Sequence, residues 1–251
     1  MSMWVEFRKE WMYLVRTYRF LVSVIVLVFF GLASPFLAKF LPEIITSAAT
    51  GGLNIQIPPA TVVDAISQYV KNIEQFGILL AWIFAMGAVA QEKDRGTAAM
   101  MLVKPMPRGT FLLAKFISLA LVLACSVILA GIAGYYYTYL LFEAMDILRW
   151  LALNGLLLVY LLVVLAITLF CSTLTKSQVA AGGIALGIMI IPGQVMVLLK
   201  WGKSLPGELL TWGARLMRGN TSPSWIAFGV SIALVIVPLL AAWLVFRRQE
   251  L

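Results

Sequence analysis

The sequence predicts an all-α integral membrane protein with six transmembrane helices, an N-terminal interfacial amphipathic helix, and a short cytoplasmic helix between spans two and three. Two observations carry this expectation. The 251 residues are 62% hydrophobic and 12% charged, with a mean hydropathy of +0.98, whereas soluble domains are nearer half apolar and a quarter charged. The apolar residues also gather into runs close to the roughly 20 residues a helix needs to cross a bilayer. The expected spans are 20–41, 73–90, 111–142, 150–174, 179–199 and 225–246, within one domain covering 1–251.

Residues 1–19 carry Trp4, Phe7, Trp11, Leu14, Val15 and Tyr18 at helical spacing, with Glu6, Lys9, Glu10 and Arg16 mostly elsewhere on the wheel. Aromatics with basic residues on such a helix describe a segment lying flat in the membrane interface. It is charged and aromatic, with no small-residue cleavage site after a short apolar core, so the first span is expected to be retained. The connection 42–72 holds Gly51, Gly52 and Pro58-Pro59, after which Val62–Val70 reads as a short separate helix. In the fifth span, Gly182, Gly183, Gly187, Pro192 and Gly193 make a small-faced, breakable helix suited to close packing against a partner. The segment 200–224 is expected outside, with a helix at Glu208–Met217 resting at the surface.

With both termini in the cytoplasm, twelve Lys and Arg lie on the inner side against seven outside. The positive-inside rule therefore places the chain in the cell inner (plasma) membrane with N- and C-termini inside. The net charge of +8 reflects basic residues facing anionic lipid, and nucleic acid is not an expected partner. Cys125 and Cys171 both fall within spans and imply no disulfide framework.

Several chemistries are excluded. The chain has no histidine, hence no Ser/His/Asp or Cys/His nucleophile system and no His-ligated metal site. Asp64, Asp94 and Asp146 read as loop residues, leaving no carboxylate pair in a span for proton relay. The eleven methionines are scattered and read as packing. Gly202-Lys203-Ser204 resembles the end of a phosphate loop, but Val197 stands where the pattern wants glycine. The chain carries no engine of its own, no catalytic residue and no bound cofactor.

The one concentrated polar feature is Gln91–Lys115, where Glu92, Lys93, Asp94, Arg95, Lys104 and Arg108 place six of the thirty charges within seventeen residues. Thr97–Val103 can form a two-turn helix with an apolar face including Met101, stopped by Pro105 and Pro107. A short amphipathic helix between two spans is a handle on which a partner can dock.

The run Glu92-Lys93-Asp94-Arg95-Gly96-Thr97, then Leu102-Val103-Lys104-Pro105 and Arg108-Gly109 with Phe111 and Lys115, resembles permease subunits of the type-2 ATP-binding-cassette exporter family. Asp94 stands where Glu is commoner, and Val103 where Ser is frequent. The resemblance implies a half-transporter: two permeases, identical or related, on separate ATP-binding-cassette ATPase subunits that hold ATP and Mg. Residues 94–104 would be the coupling helix, and Glu92, Lys93, Asp94, Arg95, Gly96, Thr97, Met101, Lys104, Pro105 and Arg108 would couple to the ATPase. Cargo would pass at the dimer interface along Phe76, Leu80 and Phe84 of span two and Met189, Gln194 and Val197 of span five. That apolar lining suits a lipid, drug or peptide. The rival classes are a membrane scaffold that recruits an ATPase without moving cargo, and a secondary transporter. The latter wants a mid-span ionisable residue or an inverted repeat.

Overall fold

A computed structural model describes residues 3–48, 60–96, 107–142, 144–198, 204–220 and 222–249, with the backbone only for 42–48 and 191–198. These residues form helices α1 (Met3–Arg16), α2 (Arg19–Ala48), α3 (Val62–Met86), α4 (Ala90–Asp94), α5 (Arg108–Leu141), α6 (Ile147–Leu174), α7 (Gln178–Leu198), α8 (Glu208–Met217) and α9 (Trp225–Arg248). Five stretches are long and apolar enough to cross a membrane: Arg19–Leu41, Val62–Asp94, Arg108–Leu141, Ile147–Leu174 and Trp225–Arg248. Within α7, Gln178–Ile190 is a shorter apolar stretch. The chain is a multi-pass membrane protein. In α2, Arg19 and Lys39 bracket the apolar run; twenty residues at about 1.5 Å each cover about 30 Å, the thickness of a hydrocarbon core.

Helix α6 is the hub. It packs against α3, α5, α7, α8 and α9, while α2 packs mainly against α5 and α3. Two-thirds of the most apolar stretch of α6 is buried, against 11% for α9, which places α9 at the periphery of the bundle. The core joins α3, α5 and α6 through Tyr69, Ile73, Val122, Leu123, Leu157 and Leu161. Two helices approach most closely where Gly31 of α2 meets α5, a Cβ at that position lying 2.7 Å from the Ala130 carbonyl oxygen.

Several polar groups inside the bundle find partners there, as a medium without water favours, whereas the Ser118 hydroxyl and the Trp212 indole N–H are buried without one among the described residues. Ser23 and Ser126 share a hydrogen bond of 2.9 Å, and the Asn72 amide donates to Ser34 at 2.9 Å. The Tyr69 hydroxyl donates to Asn154 at 2.6 Å, and the Trp150 indole to the Gly131 carbonyl at 2.9 Å. The Glu74 carboxyl group lies beside the Tyr160 hydroxyl. Lys39 donates to the Leu141 carbonyl at 2.9 Å and ties the far ends of α2 and α5 together.

Helix α3 is longer than expected from sequence. The separate helix read over Val62–Val70 and the span read from 73 are one element starting at Val62. The backbone N–H and hydroxyl of Thr61 both donate to Asp64, at 2.9 and 2.7 Å, and close the first turn. The polar run Lys71-Asn72 and Glu74-Gln75 does not interrupt the helix, because Asn72 and Glu74 find partners on α2 and α6. Helix α8 lies over Glu208–Met217 as expected, with Leu209, Leu210 and Trp212 buried. Burial by itself would raise the Glu208 carboxyl, but hydrogen bonds from Thr211 and Arg215 hold it below the usual range.

The α2–α5 crossing yields a direct test. Replacing Gly31 with Leu must separate the two helices, because the obstacle is backbone. The expected cost is about 1–3 kcal/mol, read as a lower thermal midpoint in detergent, with Gly31→Ala milder.

Candidate functional site

The polar insert singled out by sequence begins at one end of the bundle, the end that also carries both chain termini. There α3 stops at Met86, turns through Gly87–Val89 and resumes as the five-residue α4. A break at membrane depth leaves backbone groups exposed. Ser172 of α6 satisfies them: its hydroxyl oxygen accepts from the Val89 and Ala90 N–H groups at 3.1 and 3.0 Å and donates to the Met86 carbonyl at 2.8 Å. Gln91 donates to Gln178 at the start of α7. One hydroxyl thus fixes the direction in which α4 leaves the membrane.

On one side of α4 a chain of charges runs into the protein. The Lys115 ammonium of α5 lies 2.6 Å from Glu92 and 3.0 Å from Glu10 of α1, with Lys115 and Glu10 almost wholly buried. Lys9 continues the chain, 3.2 Å from Glu10 and bonded to Glu6. The Lys115 ammonium also sits over the Phe111 ring, 4.9 Å from its centroid. Burial pulls the Lys9 pKa down, but the Glu6 hydrogen bond and the charges of Glu10, Glu6 and Glu92 outweigh it and leave the value above 10.5. A raised lysine contributes stability below its unfolded pKa and loses it only as pH climbs through the folded value. The Lys9 charge therefore persists throughout neutral pH.

These contacts turn α1 inside out relative to a soluble amphipathic helix. Its buried residues are Glu6, Glu10 and Leu14, while Trp4, Val5, Met12, Tyr13 and Val15 face outward. Glu6 and Glu10 thus meet protein, while most of the apolar side chains of α1 lie at the surface. Thr17 and Tyr18 then reverse the chain into α2, with Tyr18 in the left-handed region at φ 58°.

On the other side of α4, Lys93 is buried and donates to the Thr173 carbonyl and to Gln249. Across the segment, Arg108 donates to the carbonyls of Phe246, Arg247 and Gln249 at 2.7, 3.0 and 2.7 Å. It satisfies carbonyl groups at the end of α9 and opposes the negative end of its dipole. Asp94, Arg95 and Gly96 are exposed, and Gly96 adopts the left-handed region at φ 69°. Thr97, Met101, Lys104 and Pro105, and most of the helix expected over 94–104, lie outside the described residues.

The residues expected to line a path are distributed differently. Leu80 and Phe84 are buried in the protomer's own core. Phe76 stacks on Phe30 with centroids 3.6 Å apart. Met189 is half-buried against α6, and Gln194 and Val197 lie on the part of α7 whose side chains are outside the description. The exposed face of α3 carries Lys71, Gln75, Leu79 and Ile83. Sequence reasoning also left Glu10 and Lys115 out of the site. The signal available for Lys115 was a lone lysine four residues into an apolar run, which must either extend to water or find a counter-charge.

Removing the Lys115 charge while keeping its bulk, as Lys115→Met, strands Glu10 and Glu92 together. The expected loss is about 3–5 kcal/mol, read as a fall in thermal midpoint, and it should be largely recovered when Glu10→Gln and Glu92→Gln are added.

Comparison with known proteins agrees with this architecture. The family described as ABC-2 family transporter protein matches residues 4–205. An uncharacterized transmembrane protein of Bacillus subtilis (strain 168), YxlG, is 23% identical over 248 residues, covering 97% of this chain and 96% of that protein. A probable ABC transporter permease protein of Stutzerimonas stutzeri, NosY, is 29% identical over 177 residues, covering 66% of this chain and 62% of that protein. Four-fifths of the chain lies within the family match, and the chain belongs to the ABC-2 transporter family as a membrane-spanning permease subunit of an ATP-binding-cassette transporter.

Proposed function

We propose that this permease works as a dimer, with itself or with a related chain, in an ATP-driven exporter whose separate ATPase subunits dock on the segment from Asp94 to Pro105. In this reading α7 is the fifth of six spans, and both termini lie in the cytoplasm of a plasma-membrane protein. ATP and Mg belong to the ATPase. The observation that carries the reading is how the docking segment is flanked. Glu92 ties its upstream end to α5 and α1, Lys93 ties it to α6 and the C-terminal tail, and Arg108 ties its downstream end to α9. A push on the segment reaches four other helices through charge-assisted bonds, which hold direction better than neutral ones. Asp94 and Arg95 remain exposed for the ATPase.

The path follows the outward face of α3 together with α7, at the interface between protomers. Lys71 and Gln75 on that face are costly against lipid, which favours water or protein there. Their mixture with Leu79 and Ile83 suits an amphipathic cargo. Binding of ATP would draw the docking segments together and shift the paired bundles between inward- and outward-open states.

Affinity purification of the full chain from its native membranes, followed by mass spectrometry, tests the docking. An ATP-binding-cassette ATPase should come down with the native chain and fall about tenfold or more with Arg95→Glu, as expected for reversing a charge at a paired contact. Equal recovery by both removes Arg95 from the docking surface, and recovery of no ATPase favours a self-contained protein. The path is tested by Gln75→Cys in a Cys125→Ala, Cys171→Ala background. A membrane-impermeant thiol reagent should label it far faster than Ile236→Cys on the lipid-facing α9, and equal rates would place Gln75 against lipid.

A further inference from the structure

A cavity of about 260 Å³ opens beside the charge chain, between α1, the end of α3 and α5. Its lining is apolar at Leu14, Phe84 and Leu119 and charged at Lys9, Arg19, Arg95 and Lys115 with Glu10 and Glu92. The two carboxylates lie against Lys115. With Glu6 counted behind Lys9, four cations face three carboxylates, a surplus of one positive charge. Among the described residues, neither Arg19 nor Arg95 forms an ion pair. Arg19 is held between aromatic rings, 5.3 Å from the centroid of Tyr13 and 5.9 Å from that of Phe84. Its guanidinium is thereby positioned at the first residue of a membrane span with donor groups uncommitted to any carboxylate.

We propose that this cavity binds the phosphodiester headgroup of an anionic phospholipid, with Arg19 and Arg95 donating to the phosphate and Leu14, Phe84 and Leu119 receiving the start of the acyl region. A guanidinium fork suits phosphate geometry, and a single surplus charge matches a phosphodiester, which carries one negative charge. A lipid is favoured over a free anion because Leu14, Phe84 and Leu119 give the cavity an apolar wall and because α1 beside it presents Met12, Tyr13 and Val15 outward. A headgroup seated there touches α1, the α3–α4 turn and α5 at once, the elements joined by Glu10, Lys115 and Glu92. Lipid composition would thus bear on how firmly α4 is held. The site does not rest on the docking reading, because it is formed within one chain.

The test uses the purified full chain in an uncharged detergent, without any ATPase, at matched ionic strength. The thermal unfolding midpoint is titrated with short-chain phosphatidylglycerol, short-chain phosphatidylcholine and inorganic phosphate. Phosphatidylglycerol should raise the midpoint saturably while the other two do not. Arg19→Gln should shift half-saturation about tenfold higher, whereas Arg8→Gln with Arg16→Gln, removing exposed charges on α1, should not. Equal stabilisation by phosphatidylcholine, or an unchanged titration for Arg19→Gln, overturns the site. Stabilisation by inorganic phosphate as strong as by phosphatidylglycerol overturns the assignment to lipid. Should Arg19→Gln fail to fold, Arg95→Gln at an exposed position gives the same reading, and an unchanged titration there overturns the proposal.

Discussion

The Lys115 ammonium, buried between Glu10 and Glu92, is the interaction on which the working end of this protein depends. A lysine near the end of a membrane helix can extend toward water at modest cost. Here it turns inward, and the desolvation penalty is offset only because two carboxylates and the Phe111 ring receive it. The three groups come from α1, α4 and α5, which are far apart in the chain. Charge neutrality in a poorly hydrated place therefore fixes the relative position of α1, α4 and α5. None can shift without exposing charge to its neighbours, and that makes the assembly suited to transmitting displacement.

The same economy governs the break between α3 and α4. A span that must end and redirect its chain near the membrane surface leaves amide groups that lipid cannot satisfy. Ser172 meets two N–H groups and one carbonyl with a single hydroxyl. Lys93 and Arg108 perform related work on the carbonyls of α6 and α9. Three polar side chains at one end of the bundle thereby bind three helix termini to one another. Among the described residues of the opposite end, the Lys39–Leu141 bond joins α2 to α5 and the Glu208–Arg215 pair acts within α8.

Three features of the fold were readable in advance, each for a local reason. The apolar runs of α2, α5, α6 and α9 announce themselves because about 20 apolar residues suffice for a span. Helix α8 has an amphipathic period confined to ten residues and needs nothing from outside to be recognised. Helix α1 was legible as amphipathic, although which face would be buried was not. The start of α3 was misplaced because Lys71, Asn72, Glu74 and Gln75 look like a loop until Ser34 and Tyr160 are seen to receive two of them.

The sequence by itself determined that this is a helical membrane protein, and it concentrated polar residues in one insert after the second span. Those properties depend on composition and on spacing along the chain. Only the tertiary structure decided which side of each helix faces protein. An apolar stripe such as Phe76, Leu80 and Phe84 suits the protomer's own core as well as a dimer interface, and the choice fell to the core because α2, α5 and α6 were there to cover it. The same holds for charge. Glu92 and Lys93 look as free in sequence as Arg95, yet Lys115 and Thr173, remote in the chain, engage the first two and leave Arg95 exposed. The physical reason is that periodicity specifies a helix and its faces, whereas burial and ion pairing are settled by neighbours distant in the sequence.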